Sequence, residues 1–274
     1  MGLGDVYKRQ TQRGIGNGIS LIIFAGIVAE IPRALVTTFE LGRTGAVSTL
    51  MILALFVLLI LTILFIVFME RALRKILINY PKRQVGNKMF GGDNSHLPLK
   101  LNTSGVIPAI FASSLLLMPI TIANFSAGQG PDWVNSITSL LGRGQPLYML
   151  IYAFLIVFFC YFYTAIVFNP DDTADNLKKQ GGFIPGIRPG ERTAQYIDFV
   201  LTRLTVVGSI YLVLVCLLPE FLISRFAVPF YFGGTSVLII VNVAMDTMTQ
   251  FQGYLFAHQY EGLLKKSKLG SRKR

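Results

Sequence analysis

The segment VSTLMILALFVLLILTILFIVFM at residues 47–69 contains 23 residues and no charged side chain. A helix needs about 20 apolar residues to cross the hydrocarbon core of a bilayer. In lipid a helix also satisfies its own backbone N–H and C=O groups, which an open extended segment cannot do. The segment therefore predicts a transmembrane helix.

Composition extends this prediction to the whole chain. Five further apolar runs lie on either side of the segment, at residues 19–36, 103–123, 147–168, 200–218 and 235–256. Hydrophobic residues make up 53% of the chain and charged residues 14%, whereas soluble domains average about 25% charged residues. We therefore expect an all-α, polytopic membrane helix bundle with six transmembrane helices. Glu30, Pro32 and Arg33 lie near the end of the first run, so we expect that helix to be broken or interfacial there.

The net charge of +11 is unevenly distributed among the polar segments. With six spans, one side of the membrane receives the amino-terminal segment, the loops 70–102 and 169–199 and the tail 257–274. With Arg203, just inside the fifth run on that side, it holds all but four of the 25 Lys and Arg residues, the four being Arg33, Arg43, Arg143 and Arg225. The positive-inside rule places the basic side in the cytoplasm. We therefore expect both ends of the chain and both large loops to be cytoplasmic.

The polar loop after the fourth apolar run reads NPDDTADNLKKQGGFIPGIRPGERTAQYID at residues 169–198. It lacks strong helix or strand periodicity, but Pro185 and Pro189 fix φ and the neighbouring glycines allow tight turns. We therefore expect an ordered loop with Arg188 at its tip. A solvated loop with one exposed arginine is the alternative. Loops held on a rigid scaffold often carry function, which favours a docking tip.

The sequence shows no constellation typical of catalysis or of a bound metal. Cys160 and Cys216 lie inside apolar runs, where a small hydrophobic thiol is common, and they give no disulfide framework. His96 and His258 lie in different polar segments, so we expect no metal site. Asp246, inside the last run, could relay a proton, but no second acid accompanies it, which favours an acid that is satisfied by a neighbour or lies near the interface. We therefore expect neither an enzyme nor a cofactor.

Four stretches are similar to the SecY family of bacterial protein-translocation channels. They are RGIGNGISLIIFAGI (13–27), HLPLKLNTSGVIPAIFASS (96–114), FNPDDTADNLKKQGGFIPGIRPGERTAQYID (168–198) and VPFYFGGTSVLI (228–239). They occur in the expected order, and the resemblance runs from residue 11 to near residue 269. It implies that residues 11–274 correspond to the carboxyl-terminal half of such a channel, with the six spans matching helices five to ten.

The resemblance also implies what the chain lacks. Four preceding helices, the plug segment and half of the lateral gate would be absent, so the chain alone should not form a complete channel. Residues 1–10, MGLGDVYKRQ, lie outside the resemblance. The end of this segment, DVYKRQ, is typical of a translated sequencing adapter, so we expect residues 1–10 to be non-native; a genuine short polar amino terminus is the alternative.

The resemblance assigns a role to the two large loops, which in the family bind the ribosome or the SecA motor. It gives Arg188 the position of the critical arginine in the second loop. The basic face of the first loop would consist of Arg71, Arg74, Lys75, Lys82, Arg83 and Lys88. Clustered basic side chains suit RNA phosphates, and anionic lipid head groups are the alternative partner. The Arg188 guanidinium could also pair with a carboxylate of a motor protein.

The resemblance further implies a pore constriction and a lateral gate. The isoleucine ring of the family is matched by Ile23, Ile27, Ile110 and Ile239. Such a ring would exclude water and ions by dewetting yet part around a polypeptide; ordinary packing is the alternative. The gate is matched by Asn102, Thr103, Ser113 and Ser114, on or near the third span. Pro108 would remove one backbone hydrogen bond and could kink that span.

These matches imply a passive conduit for secretory and membrane proteins in the bacterial cytoplasmic (inner) membrane. The expected partners are the SecE and SecG subunits, SecA, the ribosome, signal sequences, nascent polypeptides and anionic lipids.

Two other classes of membrane protein stay open. A secondary transporter would show an inverted repeat with facing acids. An intramembrane enzyme would show a nucleophile–base pair or a metal constellation in its spans.

Overall fold

A computed structural model of the chain is mostly helical. It describes residues 18–45, 47–81, 83–85, 88–90, 94–125, 142, 145–226 and 234–271. Residues 1–10, expected to be non-native, and Lys82, expected on the basic face of the first loop, lie outside these described residues.

Helices account for most of the described residues. The helices are α1 (Gly18–Arg43), α2 (Thr49–Arg71), α3 (Ile107–Phe125), α4 (Pro146–Val167), α5 (Pro170–Lys179), α6 (Glu191–Phe226) and α7 (Gly234–Ser271). Between α2 and α3 lie the strands β1 (Leu73–Asn79), β2 (Arg83–Val85), β3 (Lys88–Phe90) and β4 (Asn94–Lys100).

Among the described residues, four helices are long and apolar enough to cross a membrane, namely α1, α2, α4 and α6. The uncharged run at residues 47–69 corresponds to α2. The apolar stretch in α3 is shorter and covers Ile107–Pro119. The described residues therefore confirm a helical membrane protein with several spans, while the number six stays a prediction.

The structure corrects two expectations about prolines. α1 continues through Pro32 to Arg43, so the expected break near Glu30 is wrong, while an interfacial position of that end stays a prediction. A transmembrane helix tolerates such a proline because neighbouring groups satisfy the backbone that it leaves unpaired. α3 begins at Ile107, which places Pro108 in its first turn. An N–H in the first turn has no intrahelical acceptor, so Pro108 removes no helical hydrogen bond and gives no reason for a kink.

The loop 70–102 contains an antiparallel β-hairpin, which the sequence analysis did not predict. β1 pairs with β4 along its whole length, from Leu73 opposite Lys100 to Asn79 opposite Asn94. β2 pairs with β3 in the segment between them. Ile76 and Ile78 on β1 are buried while the alternating residues are exposed, so the hairpin has one apolar face.

The described residues form two compact units. α1, the first residues of α2 and most of α7 belong to one unit. The rest of α2, the four strands and the helices α3 to α6 belong to the other. In this second unit α4 packs against both α3 and α6. The Phe111 ring on α3 stacks on the Phe159 ring on α4, with centroids 5.8 Å apart.

Candidate docking surface and channel residues

The loop 169–199 begins with a helix, α5, that its own sequence stabilises. Asn169 precedes the helix, and its Oδ1 accepts a hydrogen bond from the Asp171 N–H at 3.1 Å. Pro170 occupies the first turn, acidic residues follow it, and basic residues occupy the last turn. Each of these features favours a helix through capping or the helix dipole. The expectation of a loop without helix is therefore wrong for Pro170–Lys179, and the Asn-Pro-Asp-Asp signal could have corrected it.

The turn between α5 and α6 presents Arg188. Gly186 and Gly190 have φ values of 83° and 111°, which favour glycine. The backbone oxygen of Arg188 accepts a hydrogen bond from the Thr193 hydroxyl at 3.0 Å, and the Ile187 N–H donates to the Ile184 oxygen at 3.1 Å. The Arg188 side chain is exposed. The backbone at Arg188 is therefore held while the guanidinium faces solvent.

The hairpin carries several of the basic residues matched by the resemblance. Arg71 ends α2, and Arg74 and Lys75 lie on β1; all three side chains are exposed. Arg83 and Lys88 lie in the paired strands β2 and β3. Docking by these residues stays a prediction, as it does for Arg188.

The hairpin and the loop 169–199 share one hydrophobic core. Its buried members come from both parts and are Ile76, Ile78, Leu99, Leu177, Ile184 and Ile197. An isolated two-stranded hairpin is marginally stable in water, because it has nothing against which to bury its apolar face. The loop supplies that surface here. We call the hairpin (residues 72–101) and the loop 169–199 together the platform.

A polar cluster lies at the base of the hairpin and involves α2, α6 and the segment that precedes α3. The Asn102 Nδ2 donates to Glu70 Oε1 at 2.8 Å, and the Tyr211 hydroxyl donates to the same oxygen at 3.4 Å. Asn102 is buried. A Cβ added to Gly208 on α6 would lie 3.0 Å from the Leu101 backbone oxygen, so glycine permits this close approach. Asn102 therefore links the segment that leads into α3 to Glu70 on α2.

The other matched gate residues have local hydrogen bonds. The Thr103 hydroxyl donates to a backbone oxygen three residues earlier, at 3.1 Å. The hydroxyls of Ser113 and Ser114 both donate to the Ile110 backbone oxygen of their own helix, at 2.9 and 2.8 Å. The structure therefore does not bring the four gate residues into one cluster, and their gate role stays a prediction.

The four matched ring residues lie in three helices. Ile23 and Ile27 lie on α1 and Ile239 on α7, all in the first unit, while Ile110 lies on α3 in the second. Ile23 is exposed and the other three are half-buried. The pore ring stays a prediction.

Sequence reasoning missed several residues that the structure makes prominent. Glu70 and Tyr211 meet Asn102 across long sequence distances, and no local pattern signals that contact. Glu220 follows the predicted end of the fifth span, but α6 continues through Pro219 to Phe226, and Glu220 is buried within it. Asp246, the acid inside the last apolar run, is exposed on α7.

Comparison with known proteins gives the family. The SecY family model matches residues 1–248. The chain is 56% identical over 259 residues to protein translocase subunit SecY of Rickettsia bellii (strain RML369-C), covering 94% of this chain and 60% of the relative. It is 56% identical over 260 residues to the Escherichia coli (strain K12) subunit, covering 94% and 59%. This chain belongs to the SecY family.

The SecY resemblance carried by the four sequence stretches is thereby confirmed. The chain spans about three fifths of the length of these SecY relatives. A solved structure concerned with the plug domain of the SecY protein matches with a TM-score of 0.64 and 20% identity, over 90% of this chain and 62% of that chain. A solved protein-conducting channel matches with a TM-score of 0.62 and 21% identity, over 90% and 61%. SecY membership does not support a secondary transporter.

Proposed function

We propose that this chain supplies the carboxyl-terminal part of a protein-conducting channel in the bacterial cytoplasmic membrane. The complete channel would pass secretory proteins across the membrane and membrane proteins into it. The chain would act as a passive conduit, with energy supplied by SecA or by the elongating ribosome. Its high identity to subunits named as protein translocases supports this function.

The platform is the observation that carries the docking part of the proposal. It exposes Arg188 on a turn whose backbone hydrogen bonds fix its conformation. A fixed turn loses little conformational entropy when a partner binds, so more of the interaction energy appears as affinity. The exposed Arg74 and Lys75 add positive charge on the same platform, and the exposed Arg71 lies beside it at the end of α2.

The chemistry of the Arg188 side chain indicates which groups of a partner it would bind. A guanidinium forms bidentate hydrogen bonds with carboxylates and phosphates. Arg188 would therefore pair with a carboxylate of SecA or a phosphate of ribosomal RNA, and the hairpin cations would attract the same RNA or anionic lipids. The distribution of Lys and Arg supports a cytoplasmic platform and cytoplasmic chain ends.

The channel part of the proposal concerns the helices. Ile23, Ile27, Ile110 and Ile239 would contribute to the apolar constriction. Asn102, Thr103, Ser113 and Ser114 would contribute to the seam that admits signal sequences. SecE and SecG would be the accompanying subunits. The SecY fold and the position of these residues on or beside apolar helices support these roles.

The docking proposal is tested by Arg188→Glu in a full-length channel that carries this half. Losing one partner of a desolvated charge pair costs about 2–5 kcal/mol. SecA-driven export into reconstituted vesicles should therefore fall by more than about tenfold at limiting SecA. Arg192→Glu is the matched control, because Arg192 is also exposed and lies four residues away, on α6. Normal export by the Arg188 variant at equal channel content would contradict the role.

A further inference from the structure

The platform contains a backbone contact between its two parts. The Asn79 N–H donates to the Phe183 oxygen at 2.9 Å, and the Phe183 N–H donates to the Asn79 oxygen at 3.0 Å. This reciprocal pair is an isolated antiparallel bridge at the end of β1. Among the described residues, these are the only backbone hydrogen bonds that join the hairpin to the loop 169–199.

Gly182 lies next to this pair and brings the two parts into close contact. It is buried. A Cβ built on Gly182 would lie 3.0 Å from Ile78 Cγ2 and 3.0 Å from Tyr80 Cε1. Any larger residue there would push the loop away from the hairpin or force these side chains to move. We call the Asn79–Phe183 pair together with the Gly182 contact the clasp.

The clasp fixes one end of the turn that carries Arg188. Ile184, the residue after the clasp, is 5% exposed and inserts into the shared core. The other end of the turn is held at α6, where the Thr193 hydroxyl donates to the Arg188 oxygen and the Thr193 N–H donates to the Gly190 oxygen. The turn is therefore a short segment anchored at both ends.

Losing one anchor would change how a partner meets Arg188. A segment held at one end samples more conformations, and binding must then order it. That ordering reduces affinity without removing any contact to the partner. The hairpin can therefore influence binding at Arg188 without touching the partner itself.

We propose that the clasp positions Arg188, so that the hairpin sets the affinity of the partner that docks on the turn. This inference rests on the proposed docking function of Arg188. The two loops then form one docking unit, because the conformation of the second loop depends on the first. A partner that displaces the hairpin would thereby weaken binding at Arg188.

Asn79→Pro is the variant that opens the clasp. Proline has no N–H, so the donation to Phe183 is lost. The Asn79 N–H points to Phe183, away from β4, so the ladder between β1 and β4 keeps its hydrogen bonds. Asn79→Ala is the matched control, because it keeps the N–H. The Asn79 Oδ1 accepts no hydrogen bond among the described residues, so the control removes no bond to that oxygen.

The variants are compared in the full-length channel by two measurements, amide hydrogen exchange over residues 182–190 and the Kd for SecA. Asn79→Pro should speed exchange and raise the Kd by up to about tenfold, as expected for losing one backbone hydrogen bond and leaving the Phe183 oxygen without its donor. Asn79→Ala should change neither quantity. Gly182→Val opens the clasp from the other side and should act like Asn79→Pro.

A disulfide should restore the clasp. Reciprocally bonded residues of an antiparallel pair have Cα atoms about 5.5 Å apart, which a disulfide can bridge. In an Asn79→Cys, Phe183→Cys channel that also carries Gly182→Ala, oxidation should lower the Kd for SecA and slow exchange. Reduction should reverse both effects.

The outcomes separate this inference from the docking proposal. If Arg188→Glu weakens SecA binding while Asn79→Pro and Gly182→Val speed exchange without changing the Kd, the clasp does not position Arg188. Unchanged exchange in both clasp variants would show that the clasp does not hold the turn, which also overturns the inference. If Arg188→Glu leaves the Kd unchanged, the docking proposal itself fails.

Discussion

The platform and α3 satisfy their polar groups in opposite ways. In the platform, Asn79 takes its backbone partner from Phe183, which lies in a different loop more than a hundred residues later. In α3, the hydroxyls of Ser113 and Ser114 take theirs from Ile110, within the same helical turn. The platform therefore depends on a contact between distant segments to keep its conformation, whereas the two hydroxyls of α3 do not depend on another segment.

This difference fits the roles proposed for the two regions. A docking surface benefits from contacts that hold its loops in one arrangement. A gate helix benefits from hydrogen bonds within itself, because it can then move without leaving a buried polar group unpaired. Asn102, at the start of the segment leading into α3, is the exception, since it binds Glu70 on α2.

The largest effect should follow from Ile110→Ser combined with Ile239→Ser in a full-length channel. These changes put polar atoms at two matched ring positions, so water and ions should enter a constriction that is otherwise dry. Single-channel recordings in planar bilayers, without a translocating chain, should show a higher resting conductance. Leu115→Ser is the control, because Leu115 is exposed on the same helix as Ile110. If the double variant has the same resting conductance as the parent, both isoleucines are packing residues and do not form the constriction.

Ile197→Ala should destabilise the platform. Ile197 is 0% exposed in the shared core, and truncating a buried isoleucine costs about 2–5 kcal/mol. Limited trypsin digestion of the full-length channel should therefore cleave faster after Lys179, which is exposed at the end of α5. Gln195→Ala, at an exposed position two residues earlier on α6, should leave the cleavage rate unchanged. Equal rates for both variants would show that the core does not hold the loop.

Asn102→Ala should have an intermediate effect, because it removes one partner of a buried hydrogen bond and costs about 1–3 kcal/mol. Thermal unfolding of the full-length channel in detergent measures this cost. Combining the change with Glu70→Ala should cost less than the two single changes added together, since both remove the same bond. Additive effects would mean that the contact between Asn102 and Glu70 contributes little to stability.

The smallest effect should come from Ser113→Ala and Ser114→Ala. Each serine bonds within its own helix, so stability should change by no more than about 0.5 kcal/mol. The same unfolding measurement applies. A loss of stability as large as that of Asn102→Ala would show that these serines bond to another segment in the complete channel. In that case α3 would also depend on a distant partner, as the platform does.

The helices that cross the membrane could be predicted because their signal is local. An uncharged run such as residues 47–69 can satisfy its backbone in lipid only as a helix, whatever surrounds it. The turn that carries Arg188 could also be predicted, because Pro185, Pro189 and the neighbouring glycines are typical of turns. The helix-capping signal at Asn169 is also local, so the helix α5 that follows it could have been predicted from the sequence.

The sequence by itself determined the apolar helices, the SecY motifs and the turn around Arg188, because each depends on residues adjacent in the chain. Only the tertiary structure decided that the hairpin and the loop 169–199 share a core, that Asn79 pairs with Phe183 and that Asn102 binds Glu70. These contacts join segments far apart in the chain. Their partners are chosen by which apolar faces are buried together, and no local periodicity records that choice.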